Sequence, residues 1–300
     1  MQQAIEQDTT TQIVNTSRLY KLAVLAIVVV PFAATIYAIW TLWNRYVTPL
    51  DIGLMIGFYM LTGMGITIGY HRLLTHRSFE TVPALRALLL IFGSMATEGP
   101  ALTWASQHIQ HHANADHEDD PHSPVEGLWH AHIGWLFGNN DVNPEKYGAW
   151  LLKDRMVLFI SKTFLLWVVL GLLIPMAIGG LVGGWEAAWR ALLWGGAVRM
   201  FVTHHVTWSV NSVCHTFGNR MFNTRDRSFN NWVVGLLAFG EGWHNNHHAF
   251  PRAAFHGMRW WQFDLSSYVI RALAKLGLVW NIWQPSREMM EKWAVKSGER

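Results

Sequence analysis

Apolar residues in this chain gather in long unbroken runs. They cover residues 20–43, 50–70, 156–181 and 187–205. About 20 apolar residues in a helix cross the roughly 30 Å hydrocarbon core of a bilayer, so the pattern predicts four transmembrane helices paired as two hairpins. Pro31 is tolerable inside the first, where neighbouring helices re-satisfy the freed carbonyl. Arg190 and Arg199 interrupt the fourth, and such arginines face a bundle interior or snorkel to an interface. A shorter apolar run at 85–97 predicts an interfacial or re-entrant helix. At 266–278 apolar residues alternate with Arg271 and Lys275, the pattern of an amphipathic helix on a membrane surface. Residues 1–18 are polar and rich in Thr and Gln. They read as a disordered tail, with no early apolar segment or cleavage site of a signal peptide. Residues 19–300 read as one membrane domain without internal repeats.

Composition agrees with a membrane solvent. Hydrophobic residues make up 51% and charged residues 14%, with a mean hydropathy of +0.14; a soluble domain carries about a quarter charged residues. The 18 tryptophans suit membrane–water interfaces, although an aromatic-rich soluble core is the alternative. The single cysteine, Cys214, excludes an internal disulfide or a cysteine-ligated iron–sulfur centre. The formal charge of +3 includes no basic block that would suggest nucleic acid. The connections at 44–49 and 180–186 hold one Arg and no Lys. The segment between the hairpins and the region after residue 205 are rich in both. By the positive-inside rule, both termini and the central segment are cytoplasmic.

Histidine is the anomaly, with 16 residues crowded into clusters. His71 and His76 follow the second run; His108, His111 and His112 form one HxxHH motif, and His244, His247 and His248 another. His215, preceded by Asn211, is a further contributor. On a helix, residues i and i+4 share a stripe, whereas successive residues are turned by about 100°. One HxxHH helix can therefore serve two neighbouring metals. Imidazole suits Fe, Zn, Cu and Ni alike. Eight or nine histidines exceed the needs of one structural or catalytic zinc and suit a pair of ions. Axial haem ligation is a weaker fit. His117, His122, His130, His132, His204, His205 and His256 stand outside the motifs and read as surface or hydrogen-bonded core residues. Glu241 opens a Glu-x-x-His, of which a carboxylate di-iron bundle needs two; with one present, Glu241 reads as a supporting residue.

The segments HRLLTHRSF, WASQHIQHHANADHEDDPHSP, NSVCH and GEGWHNNHHAFP together resemble the histidine boxes of the membrane fatty acyl desaturases, in the stearoyl-CoA (delta-9) branch, over residues 50–256. The likeness is to members of bacterial type, without a fused cytochrome domain. It implies an all-α integral membrane protein, with four transmembrane helices, a cytoplasmic helical cap and a kinked acyl channel. It implies two non-haem irons, which zinc can replace in a recombinant preparation. Their ligands would be His71, His76, His108, His111, His112, His215, His244, His247 and His248, with Asn211 acting through a water. His244 stands where front-end desaturases usually have Gln, and the first box has four residues between its histidines, so a delta-9-like double bond is expected. Animal acyl-CoA members place basic pairs where this chain has Val125, Glu126 and Asn139, Asn140. That loss of positive charge disfavours CoA and favours an acyl chain carried on a membrane lipid or another carrier.

Removing hydrogen from an unactivated methylene pair is beyond acid–base side chains and calls for O2 and two electrons. The chain has no dinucleotide fingerprint, so a ferredoxin, rubredoxin or cytochrome b5-like donor with its reductase is expected at the basic face. Metal-bound histidines commonly donate their second nitrogen to a carboxylate, which nominates Asp119 and His122 as residues orienting the ligands. Trp104, one turn before His108, is a candidate wall of the channel; an interface tryptophan is the alternative. The expected setting is the bacterial inner membrane. A hydroxylase on the same scaffold, or a metal or haem transport protein, remain the rival classes.

Overall fold

The computed structural model describes residues 18–43, 47–138 and 142–295. The tail expected at 1–18 falls almost wholly outside these, as do Arg45, Asn139 and Asn140. Helix α1 (Arg18–Trp43) carries Pro31 without breaking. Helix α2 (Pro49–Met64) starts at a capping box in which Thr48 and Asp51 satisfy each other's backbone N–H groups. It then continues as wide π-type turns over Gly65–Thr75. Helix α3 (Pro83–Met95) crosses α2 so closely that a Cβ on Gly65 would lie 2.1 Å from the Gly93 nitrogen. The short apolar run thus packs one face on the bundle, burying Leu89, Leu90, Gly93, Ser94 and Met95 and leaving Leu88 exposed. Helix α4 (Ala101–Asn114) returns to the histidine-bearing end of α2, and a short helix α5 (Leu128–His132) and a 3-10 turn (Gly134–Phe137) follow.

The third apolar run begins later than its sequence pattern suggests. Residues 155–162 form a separate helix α6 (Arg155–Lys162), capped by Asp154. Helix α7 (Phe164–Ala191) starts only after the bend at Thr163, because α6 is two-faced and buries just Val157 and Ile160. Within α7 the chain reverses: Gly183 and Gly184 leave helical geometry, and Gly184 adopts φ 71°, a left-handed conformation that glycine takes at no steric cost. The two legs then pack antiparallel, with Gly179 against Ala187 and Ala191, Gly195 against Pro175, and Gly196 against Leu172. The second leg widens into π-type turns at Leu192–Val198 and continues as α8 (Arg199–Ser212). Among the described residues, three helical stretches can cross a membrane by length and composition: Arg18–Leu42, Pro49–Thr75 and the reversed Phe164–Ser212.

Both arginines of the last run are paired. Arg190 Nε donates to the buried Asp51 carboxylate at 3.1 Å. Arg199, fully buried, donates to the carbonyls of Gly195, Met95 and Gly171 at 3.3, 3.0 and 3.2 Å. Its charge thus meets backbone dipoles left available by the wide turn at Gly195, by the end of α3 at Met95 and, at Gly171, by Pro175, which has no N–H to donate four residues on.

The remaining chain packs over the end of α2 as helices α9 (Trp232–Leu237), α10 (His244–Ala249), α11 (Leu265–Lys275) and α12 (Arg287–Trp293). A two-residue ladder pairs β1 (Glu80–Thr81) with β2 (Val279–Trp280), Glu80 facing Trp280. Arg72 pins this region to α2. It is fully buried and donates to both oxygens of Asp264 at 3.2 and 3.1 Å, to Glu241 Oε1 at 3.2 Å and to the Ala254 carbonyl at 2.9 Å. A bidentate pair of this kind is both strong and directional.

Candidate metal centre

The wide turns at the end of α2 set the first histidine pair. At 3.6 residues per turn, positions five apart differ by about 140° around a helix. In a π-type turn the i→i+5 hydrogen bond aligns them, and His76 N–H donates to the His71 carbonyl at 3.0 Å. Nine imidazoles then converge in two groups: His71, His76, His108, His112 and His247 in one, His111, His215, His244 and His248 in the other. Each HxxHH helix divides between them. The i and i+4 histidines of α4, His108 and His112, join the first group, while those of α10, His244 and His248, join the second. His111 and His247, between them, turn to the opposite group.

The facing atoms are Nε2. In the first group they stand 3.1 Å apart for His71 and His247, 3.1 Å for His76 and His108, 3.0 Å for His108 and His112, and 2.9 Å for His112 and His247. In the second the separations are 2.9 Å for His215 and His244 and 3.4 Å for His111 and His248. Metal–nitrogen bonds of about 2.1 Å meeting at right angles place nitrogens about 3.0 Å apart, and tetrahedral ones about 3.4 Å. The first group therefore has the spacing of right-angled coordination. Burial, reinforced by neighbouring imidazoles, pushes His76, His108, His112, His244 and His247 well below the ordinary imidazole range, so each offers an unprotonated nitrogen.

Four outer Nδ1 atoms meet carboxylates, which fix tautomer and ring angle. His71 lies 2.8 Å from Glu241, His111 2.9 Å from Asp120, His215 3.2 Å from Asp116 and His248 2.9 Å from Asp226. Burial alone would raise Asp120 and Asp226, but the adjoining His111 and His248 outweigh it and hold both carboxyls well below their usual range. These donors suit a pair of imidazole-loving metal ions, with inner nitrogens facing one another and four outer nitrogens already held.

The sequence-nominated Asp119 is not the orienting carboxylate. Its side chain is exposed, and it engages through its carbonyl, which accepts from Gln110. The turn that closes α4 instead places Asp120 inward, where Oδ1 accepts from His111 and from the His122 N–H, and Oδ2 from the Asp116 N–H. His122 touches Asp120 at 3.5 Å. Glu241 bridges His71, Arg72 and His256. Asp226 and His256 had no sequence signal; Asp116 and Asp120 lay in an acidic stretch without a period to select them.

A cavity of about 430 Å³ runs along the cluster, touching His71, His108 and His244. Trp104 is one wall, its indole stacked on His108 at 5.1 Å with Nε1 donating to Glu98. Asn211 lines it four residues before His215. Farther down α2 the wall is Tyr59, whose hydroxyl donates to the Leu237 carbonyl at 2.6 Å and whose ring packs on Phe239. Glu98 sets a carboxyl in this apolar wall, where burial raises it to about 7.

The fatty acid desaturase family profile matches residues 48–283. Over 276 residues the chain is 42% identical to a hex-5-enoyl-[acyl-carrier protein] acetylenase of Moorena producens (strain JHB), covering 88% of this chain and 86% of that protein. It is 39% identical to an sn-1 stearoyl-lipid 9-desaturase of Anabaena variabilis, covering 77% and 83%. It is 41% identical to an acyl-CoA C20 Delta5-desaturase of Anemone leveillei, covering 80% and 76%. The chain belongs to the fatty acid desaturase family, membrane-bound oxidoreductases acting on fatty acyl chains.

Proposed function

We propose that this protein is a di-iron desaturase that introduces a cis, delta-9-like double bond into a saturated acyl chain carried on a membrane lipid. The paired imidazole groups beside an apolar cavity carry the reading. The five-histidine group and the four-histidine group would each hold one iron, with Asn211 reaching the second through a water. Two bound irons would supply the oxidising chemistry, with O2 and two external electrons, that removing hydrogens from adjacent unactivated methylenes requires. One O2, two electrons, two protons and the methylene pair give one alkene and two waters. The protein's own contribution is positional. Trp104 and the α2 wall guide the chain past the inner nitrogens, apolar lining excludes water, and the carboxylates keep the imidazoles in register.

The legs 164–182 and 185–212, about 28 and 42 Å long as helices, each suffice for one crossing. This supports four spans; the excess of Lys and Arg outside the hairpin turns supports cytoplasmic termini, and we place the protein in a bacterial inner membrane with a cytoplasmic cap that receives an electron donor. Mass spectrometry of host lipids with the wild type and with His247→Ala tests the function. A new cis alkene that depends on His247 is expected; an alcohol would mean a hydroxylase, and no new product with no O2 consumption would end the desaturase reading. The acetylenase relative supports a second reading, conversion of an existing alkene to an alkyne, which the same spectra resolve. Turnover of purified enzyme on stearoyl-CoA but not phospholipid would defeat the lipid carrier.

A further inference from the structure

Next to the cavity, residues 121–138 form an apolar shelf with one charged side chain besides histidines, Glu126. Four large apolar residues on it face outward: Val125 is 63% exposed, Leu128 47%, Trp129 73% and Phe137 38%. Soluble surfaces rarely group such residues without a partner. The neighbouring Trp135 and Leu136 line the cavity together with Tyr20 of α1. The turn Gly134–Phe137 packs against α1, and α5 packs against α8. The first turns of α1 in turn point Leu19, Leu22 and Leu25 outward. The shelf is therefore continuous with the apolar outer surface of a candidate span. No Lys or Arg occurs between Arg86 and Lys146, so nothing on the shelf attracts an acidic carrier protein or a nucleotide phosphate. A tryptophan beside a span, with polar chain above it, suits the boundary between headgroups and acyl tails.

We propose that residues 125–137 are a membrane-dipping lip, and that a lipid-borne acyl chain slides into the cavity sideways from the bilayer between α1 and this lip. The proposal rests on the desaturase reading for its substrate, but its placement in the bilayer is measured independently. Cys214 is fully buried, so a cysteine introduced at the surface takes a hydrophilic label selectively. Trp129→Cys, Phe137→Cys and, as control, Glu118→Cys would carry an environment-sensitive fluorophore on the iron-loaded full chain in phosphatidylcholine vesicles. Labels at 129 and 137 should emit to the blue. They should be quenched at least twofold by nitroxide on lipid acyl chains and hardly by aqueous iodide; the label at 118 should behave oppositely. Labels at 129 and 137 that iodide reaches and lipid nitroxide does not would overturn the lip. Shielding from both would show a protein covering it and overturn it equally. In a second arm, the double variant Leu128→Asn, Trp129→Ser should lose at least tenfold in turnover of vesicle-borne acyl lipid, while turnover of detergent-dispersed acyl chains changes less than twofold. Equal loss on both would refute sideways access. A wild type inactive on every acyl substrate would sink the desaturase reading and leave the fluorescence to decide the lip.

Discussion

Asp120→Asn is expected to weaken metal binding at the four-histidine group and leave the five-histidine group largely intact. Asp120 is buried, and it alone meets the outer nitrogen of His111. In asparagine one oxygen still accepts from His111 and His122, but the bond to imidazole loses its charge assistance, about half its strength. The amide NH2 then confronts the Asp116 N–H, which Oδ2 accepts in the native chain. One buried donor loses its partner, at about 1–3 kcal/mol. Supporting carboxylates of this type are worth about 10–100-fold in metal affinity, or roughly 1.4–2.7 kcal/mol at 1.36 kcal/mol per decade. Purified protein titrated with chelator and followed by elemental analysis should release metal in two steps. The first should come at 10–100-fold lower chelator in Asp120→Asn and the second at the wild-type position. Asp119→Asn, altering an exposed side chain, should match the wild type. Unchanged release in Asp120→Asn, or a greater loss in Asp119→Asn, would refute the assignment.

Three further outcomes follow from the cavity and cluster. Tyr59 is the α2 lining residue farthest from His71, up to about 18 Å away along the helix, so Tyr59→Ala should admit longer chains. Each extra buried methylene adds about 0.8 kcal/mol, roughly fourfold in kcat/KM; competition between chain lengths that yields the wild-type optimum would rule Tyr59 out as the limit. Glu98, raised to about 7 by burial, holds a proton in the folded chain that the unfolded chain has released. Stability should therefore fall as pH rises from about 4.5 to about 7 and stay level above, by about 3 kcal/mol in all; Glu98→Gln should remove that slope in denaturation measured across pH, and parallel curves for both proteins would contradict it. Burial depresses four ligands of the five-histidine group, His76, His108, His112 and His247, well below the ordinary imidazole range, so metal in that group should stay bound as the pH falls through that range. A dialysis midpoint at 6.5, that of a free imidazole, would count against the buried cluster.

The division of labour between sequence and tertiary structure is visible residue by residue. The sequence alone determined the histidine motifs, since i, i+3 and i+4 spacing fixes which ligands share a stripe before any packing occurs. It also determined the apolar runs, since hydropathy is a property of contiguous residues. It could not separate α6 from α7, because both are apolar and the bend at Thr163 depends on which face of α6 finds a partner. The carbonyls of Met95 and Gly171 that receive Arg199 were likewise invisible, because they lie 104 and 28 residues away along the chain. The choice of Asp120 over Asp119 was decided by a turn whose two adjacent carboxylates are chemically identical and differ only in direction. Spacing within one helix is local and written in the chain; which side chain meets which across helices is a long-range outcome that only the folded molecule fixes.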